Sequence, residues 1–144
     1  MDLIEAIRKR RSVRFYDKEK KISDAQMREL FELVSLSPSA YNLQPWKFIV
    51  VRDEKRKKVL RTCANNQQQV EDASATIIVL AKLNPSEDVD GIIADRDKKG
   101  YFTSPEHRES YRKIMKEIDR NENIFAWSTK NAYLASMTLM LAAV

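Results

Sequence analysis

The chain has 144 residues, enough for one domain with one core, and 43% are hydrophobic, too many for a disordered chain. Two glycines, Gly91 and Gly100, exclude a glycine-rich phosphate loop, and the single His107 excludes a multi-histidine metal site. The single Cys63 excludes an internal disulfide and fits a reducing, cytoplasmic compartment, and the net charge of +5 calls for an account of where the cations lie.

Many of them lie in Arg8, Lys9, Arg10, Arg11 and Arg14. Such a cluster can hold nucleic acid, an acidic membrane or a small phosphate, or it can simply complement the C-terminal dipole of a helix. No recognition motif or stacking platform accompanies it, which argues against nucleic acid. Residues 1–16 hold no long apolar core and no cleavage pattern, so no signal peptide is expected. The longest apolar-rich run, Ala132 to Val144, is 13 residues and too short to span a bilayer, so no membrane partner is expected either.

Asp2 can cap a first helix, in which Leu3, Ile4 and Ile7 share a face. Ser12 to Tyr16 then alternates as an extended segment does, and Arg10, Ser12 and Arg14 can converge on one anion. Ser23 and Gln26 form a capping box for a second helix, with Met27, Leu30, Phe31 and Val34 inward. Pro38 ends that helix, and Pro45 holds strand pairing back to Trp46. Between them Ser37 to Trp46 is a loop fixed at both ends, the kind of segment that carries function.

Trp46 to Val51 reads as a strand. Asp53 caps a third helix, predicted to turn Lys55, Arg56, Lys57 and Lys58 outward and Val59 and Leu60 inward. The polar patch Asn65 to Gln69 reads as a surface turn, and Ala75 to Ala81 as a strand covered on both faces. Asn84 to Gly100 has no clear period; its aspartates 88, 90, 95 and 97 lack the glycine and glutamate of a calcium loop. Ser104 and Pro105 start another helix, with Tyr111, Ile114, Met115 and Ile118 on one face. A last helix runs from Phe125 and is apolar almost all round from Ala132, as suits a core or an interface. The expected order is helix, helix, strand, helix, strand, helix, helix: an α+β arrangement around a small central sheet.

Two segments together are specific. Arg10-Arg11-Ser12-Val13-Arg14, followed by a helix and then Ser37-Pro38-Ser39-Ala40-Tyr41-Asn42-Leu43-Gln44-Pro45-Trp46-Lys47-Phe48, resembles the nitroreductase family of flavoenzymes. Val70 to Ser74 before an apolar strand, Gly100 to Glu106, and the Trp127, Lys130, Tyr133 helix resemble it as well, so the likeness spans all 144 residues. It points to the branch of oxygen-insensitive nitroreductases and flavin reductases.

The resemblance implies a three-layer, FMN-binding α+β fold that forms an intertwined homodimer, with FMN at the interface and NAD(P)H as co-substrate. By motif match, Arg10, Arg11, Ser12 and Arg14 would hold the phosphate, ribityl chain and pyrimidine edge. Pro38, Ser39, Ala40 and Asn42 of the other subunit would cover the ring. Asn66 and Gln69 would meet the pyrimidine side, and Tyr41 and Met115 would line the substrate side. The implied activity is ping-pong hydride transfer from NAD(P)H through flavin to nitroaromatic, quinone or similar small-molecule acceptors, with no acid–base pair required of the protein. The family continues past the position of Val144, with further sheet, a backbone contact near flavin N5 and a second basic clamp. The 144 residues are therefore expected to form a single domain incomplete at its C-terminus, and a non-catalytic flavin-binding or dimerisation remnant is the alternative function.

Overall fold

The computed structural model describes residues 2–144. Among them, helices and strands occur in the order α1 (Leu3–Lys9), α2 (Asp24–Ser35), β1 (Trp46–Val51), α3 (Glu54–Cys63), α4 (Gln68–Asp72), β2 (Thr76–Ala81), α5 (Val89–Lys98), α6 (Pro105–Glu117) and α7 (Ile124–Ala142). Short 3-10 turns cover Ala40–Asn42, Pro85–Asp88 and Ile118–Arg120. β1 and β2 pair into a two-stranded sheet, so the described residues are mostly helical with a small β element.

The chain divides into two compact units. Among the described residues, the first comprises 2–36, 48–80 and 136–144; the second comprises 37–47 and 81–135.

In the first unit the helix starts follow local chemistry. The Asp2 carboxylate accepts from the Glu5 N–H at 2.8 Å and caps α1. Ser23 and Gln26 form the reciprocal capping box of α2, at 3.2 and 2.9 Å. Asp53 caps α3 by accepting from the Arg56 N–H at 2.9 Å. Met27, Leu30 and Val34 are buried along one face of α2, and Phe31 meets Phe48 of β1 with ring centroids 5.2 Å apart. Each such buried aliphatic side chain contributes about 1.5–3 kcal/mol.

The outward turn of Lys57, the inward turn of Val59 and the covering of β2 are corrected in this unit, and the shared face of α1 is met on the outside. Lys57 points inward and is 3% exposed, while Val59 is 63% exposed. The reason is a polar partner: the Lys57 ammonium donates to the carbonyl oxygens of Glu71 and Ala73, at 2.9 and 2.6 Å. The lysine stem thus fills an inward position, with its charge spent on the end of α4. β2 is half-buried at Thr76 to Val79 and exposed at Leu80, so it is partly covered rather than enclosed. Leu3, Ile4 and Ile7 do share a face of α1, but that face is exposed.

In the second unit Leu43, Val89, Ile93, Met115 and Ile118 form the core, with Phe102, Tyr111, Ile124 and Trp127 packed against them. Ser104 caps α6 through the His107 N–H at 3.1 Å, with Pro105 at the first helical position. The segment without a clear period contains α5. Only Val89 and Ile93 are buried along it, four residues apart, which is too short a stripe to stand out among aspartates. Those aspartates serve as surface ion-pair partners: Asp88 to Lys82, Asp90 to Arg112, Asp95 to Lys99 and Asp97 to Arg108, at 2.5–2.7 Å. Among the described residues, no helix is long and apolar enough to cross a membrane.

Candidate functional site

In the first unit, α1 runs out at Arg10, whose N–H donates to the Ala6 carbonyl at 2.9 Å. The chain continues without regular structure through Tyr16. Helix end and extended segment together line an open cleft of about 590 Å³, with Lys9, Arg10, Arg11 and Ser12 as its polar residues and Tyr16 and Met140 among its apolar ones. Among the described residues, no carboxylate lies within ion-pair distance of Arg10, Arg11 or Arg14. Three guanidinium groups without carboxylate partners within five residues leave an unmet demand for an anion.

The three arginines are not equivalent. Arg11 turns back on the helix and donates from Nη1 to the Arg8 and Arg10 carbonyls, at 2.6 and 2.8 Å. It satisfies C-terminal carbonyls of α1, a role the motif match does not anticipate. Arg14 reaches 53 residues along the chain, its Nη1 lying 3.5 Å from Oε1 of Gln67. That same oxygen accepts from Nε2 of Gln69 at 2.6 Å. Arg14 and Gln69 therefore meet through Gln67, a residue whose sequence context shows only a surface turn.

Asn65 and Asn66 carry left-handed backbone, with φ of 53° and 55°. Asparagine tolerates this conformation better than most residues, and the bend leads into α4. The Asn66 carbonyl lies 3.4 Å from Arg61 Nε, and Arg61 also bridges to Glu71 at 3.0 Å. The side chain of Asn66 is left at the surface.

In the second unit, Ser39 to Gln44 is a tight, strained loop. Tyr41, Asn42 and Gln44 all have positive φ, at 58°, 57° and 44°. Left-handed backbone costs an L-residue roughly 1–2 kcal/mol each, less for Asn. Three contacts offset it. The Ser39 hydroxyl accepts from the Gln44 N–H at 2.9 Å, the Ala40 N–H donates to Asn131 Oδ1 at 2.9 Å, and Leu43 is buried at 2% exposure. Pro38 and Asn42 lie exposed, Ser39 and Ala40 half-buried. Asn131, on α7, lies within the Trp127 to Tyr133 stretch but is not among the residues singled out there; a polar residue inside an apolar helix is the signal that could have found it.

Tyr41 is exposed and packs edge-on against Tyr111 of α6, with centroids 5.4 Å apart. Tyr111 accepts from Arg96 Nη1 at 2.5 Å, and the same guanidinium lies 4.6 Å from the Tyr101 ring centroid. Burial holds the Tyr111 phenol above its ordinary pKa, aided by the Tyr101 hydroxyl and opposed by Arg96. Met115 differs from Tyr41: it is fully buried, within the core of this unit. Its side chain packs α6 against α5 instead of facing a substrate.

The chain as a whole is similar to known proteins. The model of the nitroreductase family matches residues 7–144. The protein named "Putative NAD(P)H nitroreductase YodC" of Bacillus subtilis (strain 168) is 31% identical over 140 residues, which cover 97% of this chain and 69% of that one. Among solved structures, the one described as "a putative nitroreductase in complex with FMN" from Exiguobacterium sibiricum 255-15 is 32% identical, with a TM-score of 0.86 over 99% of this chain and 70% of that one. A nitroreductase family protein of Streptococcus pneumoniae TIGR4 is 27% identical, with a TM-score of 0.78, over 98% and 70% of the two chains. The fold is that of these neighbours, and with residues 7–144 matched the chain belongs to the nitroreductase family.

Proposed function

We propose that this chain is an FMN-dependent oxidoreductase that passes hydride from NAD(P)H to nitroaromatic, quinone or similar acceptors, and that it acts as a homodimer with the flavin at the interface. The observation that carries this reading is that Arg10, Arg11 and Arg14 have no carboxylate partner among the described residues, with Arg10 and Arg11 lining one cleft with Ser12. A phosphate monoester with a polar heterocycle is a ligand that uses all of them. The donor chemistry fits FMN: cations and a hydroxyl for the phosphate, and a guanidinium with two side-chain amides for a ring edge that gains negative charge on reduction.

When bound, FMN supplies hydride acceptance and donation. The protein's residues hold and orient it. Arg10, Arg11 and Ser12 would neutralise the phosphate, and Arg14, Asn66 and Gln69 would meet the pyrimidine edge, with Gln67 keeping Arg14 and Gln69 in register. Pro38, Ser39, Ala40 and Asn42 of a second copy would cover the ring. Tyr41, which is exposed, would line the acceptor side; Met115, being buried, is not part of this proposal. One open face serving donor and acceptor in turn gives ping-pong kinetics.

The test is direct. The purified chain titrated with FMN should bind it with a visible flavin spectrum and oxidise NAD(P)H, with parallel double-reciprocal lines when the acceptor is varied. Absence of bound flavin at saturating FMN would sink the reading. Flavin binding without turnover would favour the non-catalytic alternative.

A further inference from the structure

Asn131 stands out because it is a nearly buried amide, 7% exposed, in the interior of an apolar helix. Such a group is costly unless both ends are paired. Here both are. Its Nδ2 donates to the Trp127 carbonyl one turn back, at 2.8 Å, and its Oδ1 accepts from the Ala40 N–H, at 2.9 Å and 91 residues away in sequence. Only one orientation of the amide satisfies a carbonyl and an N–H at once, so the oxygen is aimed at Ala40.

The placement matters because the backbone just past Ala40 is strained. Tyr41 and Asn42 are left-handed, and Gln44 is too. A free segment of this composition would relax toward ordinary backbone. The loop is held at one end by burial of Leu43 and across its middle by Ser39 Oγ and Gln44 N–H. Asn131, from outside the loop, binds its backbone at the entry to the left-handed pair. Because the hydroxyl oxygen of Ser39 is used as an acceptor, its own proton stays free to donate elsewhere.

We infer that Asn131 is a positioning residue: it fixes Ala40 so that Ser39, Ala40 and Asn42 present a preformed surface to the flavin, and without it the loop must be ordered on binding. This rests on the proposed flavin reading for its consequence, and on the contacts of this unit alone for the clamp. Preorganised contacts lose less entropy when a ligand binds, so the clamp's loss weakens binding without removing any ligand contact.

The experiment compares Asn131→Leu, similar in size but unable to pair, with Ala132→Gly, which loosens the same helix and keeps the Asn131 amide. Asn131→Ser, smaller and still polar, is the second variant should the leucine not fold. Amide exchange of Ala40 is read by NMR in the flavin-free protein, and FMN affinity by fluorescence titration. Asn131→Leu is expected to speed Ala40 exchange and to weaken FMN binding, each by about tenfold, the equivalent of one lost hydrogen bond. Ala132→Gly, lowering Tm comparably, is expected to leave both within about twofold. Wild-type exchange at Ala40 in Asn131→Leu, or the same two effects in Ala132→Gly, would overturn the assignment. Failure of the wild-type chain to bind FMN would refute the flavin reading, whereas Ala40 exchange still decides the clamp.

Discussion

Lys57 closes the end of α4 by donating from its ammonium to the carbonyl oxygen of Ala73 at 2.6 Å, as well as to that of Glu71 at 2.9 Å. α4 has only five residues and no side-chain cap at its start, so it cannot be stable alone. Its position depends on α3, through Lys57 and the Arg61–Glu71 bridge. Lys57→Met should keep the stem and leave both carbonyls without that donor, at a cost of about 2–3 kcal/mol, read as a fall in Tm. FMN affinity should fall with it, since α4 carries Gln69. Lys57→Arg should recover part of the loss.

Legibility in the sequence depends on whether a signal is local. The caps at Asp2, Ser23, Asp53 and Ser104 are readable because each needs only its own next three residues. The boundaries of β1 follow from Pro45 and an apolar run. Lys57 misleads because a lysine among cations looks solvated; its partners at Glu71 and Ala73 lie 14 and 16 residues on, beyond any periodicity. Gln67 and Asn131 escape notice for the same reason. The motifs at Arg10–Arg14 and Ser37–Trp46 are visible as candidates, but not that Arg11 binds its own helix end.

Arg14→Ala should weaken FMN binding by about 10- to 100-fold, the worth of one charge-assisted hydrogen bond of about 1.5–3 kcal/mol. Arg14 is exposed and makes no ion pair with a described carboxylate, so Tm of the flavin-free protein should hardly move. Fluorescence titration and thermal melting separate the two effects. Unchanged affinity would remove Arg14 from the site.

Met115 gives a clean contrast. It is fully buried among Leu43, Val89, Ile93 and Ile118, so Met115→Ala should cost about 2–5 kcal/mol through lost contacts and a cavity. Met115→Leu, close in volume, should cost under about 1.5 kcal/mol. Neither should change the ratio of kcat/KM between a quinone and a nitroaromatic acceptor, whereas Tyr41→Ala should. A selectivity change in Met115→Leu would contradict the packing role.

Tyr111 predicts an alkaline effect. Its pKa is raised in the fold, first by burial. A raised pKa means that the folded state keeps the phenolic proton after the unfolded chain has lost it. The stability linked to this group is therefore fully present below the ordinary tyrosine value and is lost as pH rises through the folded one. Absorbance at the tyrosinate band should show a late-titrating component that disappears in Tyr111→Phe. The same variant should flatten the fall in Tm above the ordinary tyrosine pKa.

The exposed face of α1 predicts the assembly. Leu3, Ile4 and Ile7 are 65%, 61% and 53% exposed, side by side on one helix, and Phe15 beyond them is 94% exposed. A contiguous apolar face of this kind marks an interface. In the proposed homodimer each copy would present it, so one substitution counts twice in a two-fold arrangement. Ile4→Lys leaves the monomer's own core untouched, because the side chain is already outside. It should weaken association by about 3–6 kcal/mol if each isoleucine contributes about 1.5–3 kcal/mol on burial. Light scattering coupled to size exclusion should then find monomer at concentrations where the wild-type chain is dimeric. FMN retention should fall in step with dimer content, because the covering loop of the proposed site comes from the other copy. A dimer unaffected by Ile4→Lys would move the interface to another face, and full FMN affinity in a monomeric variant would mean that one chain completes its own site.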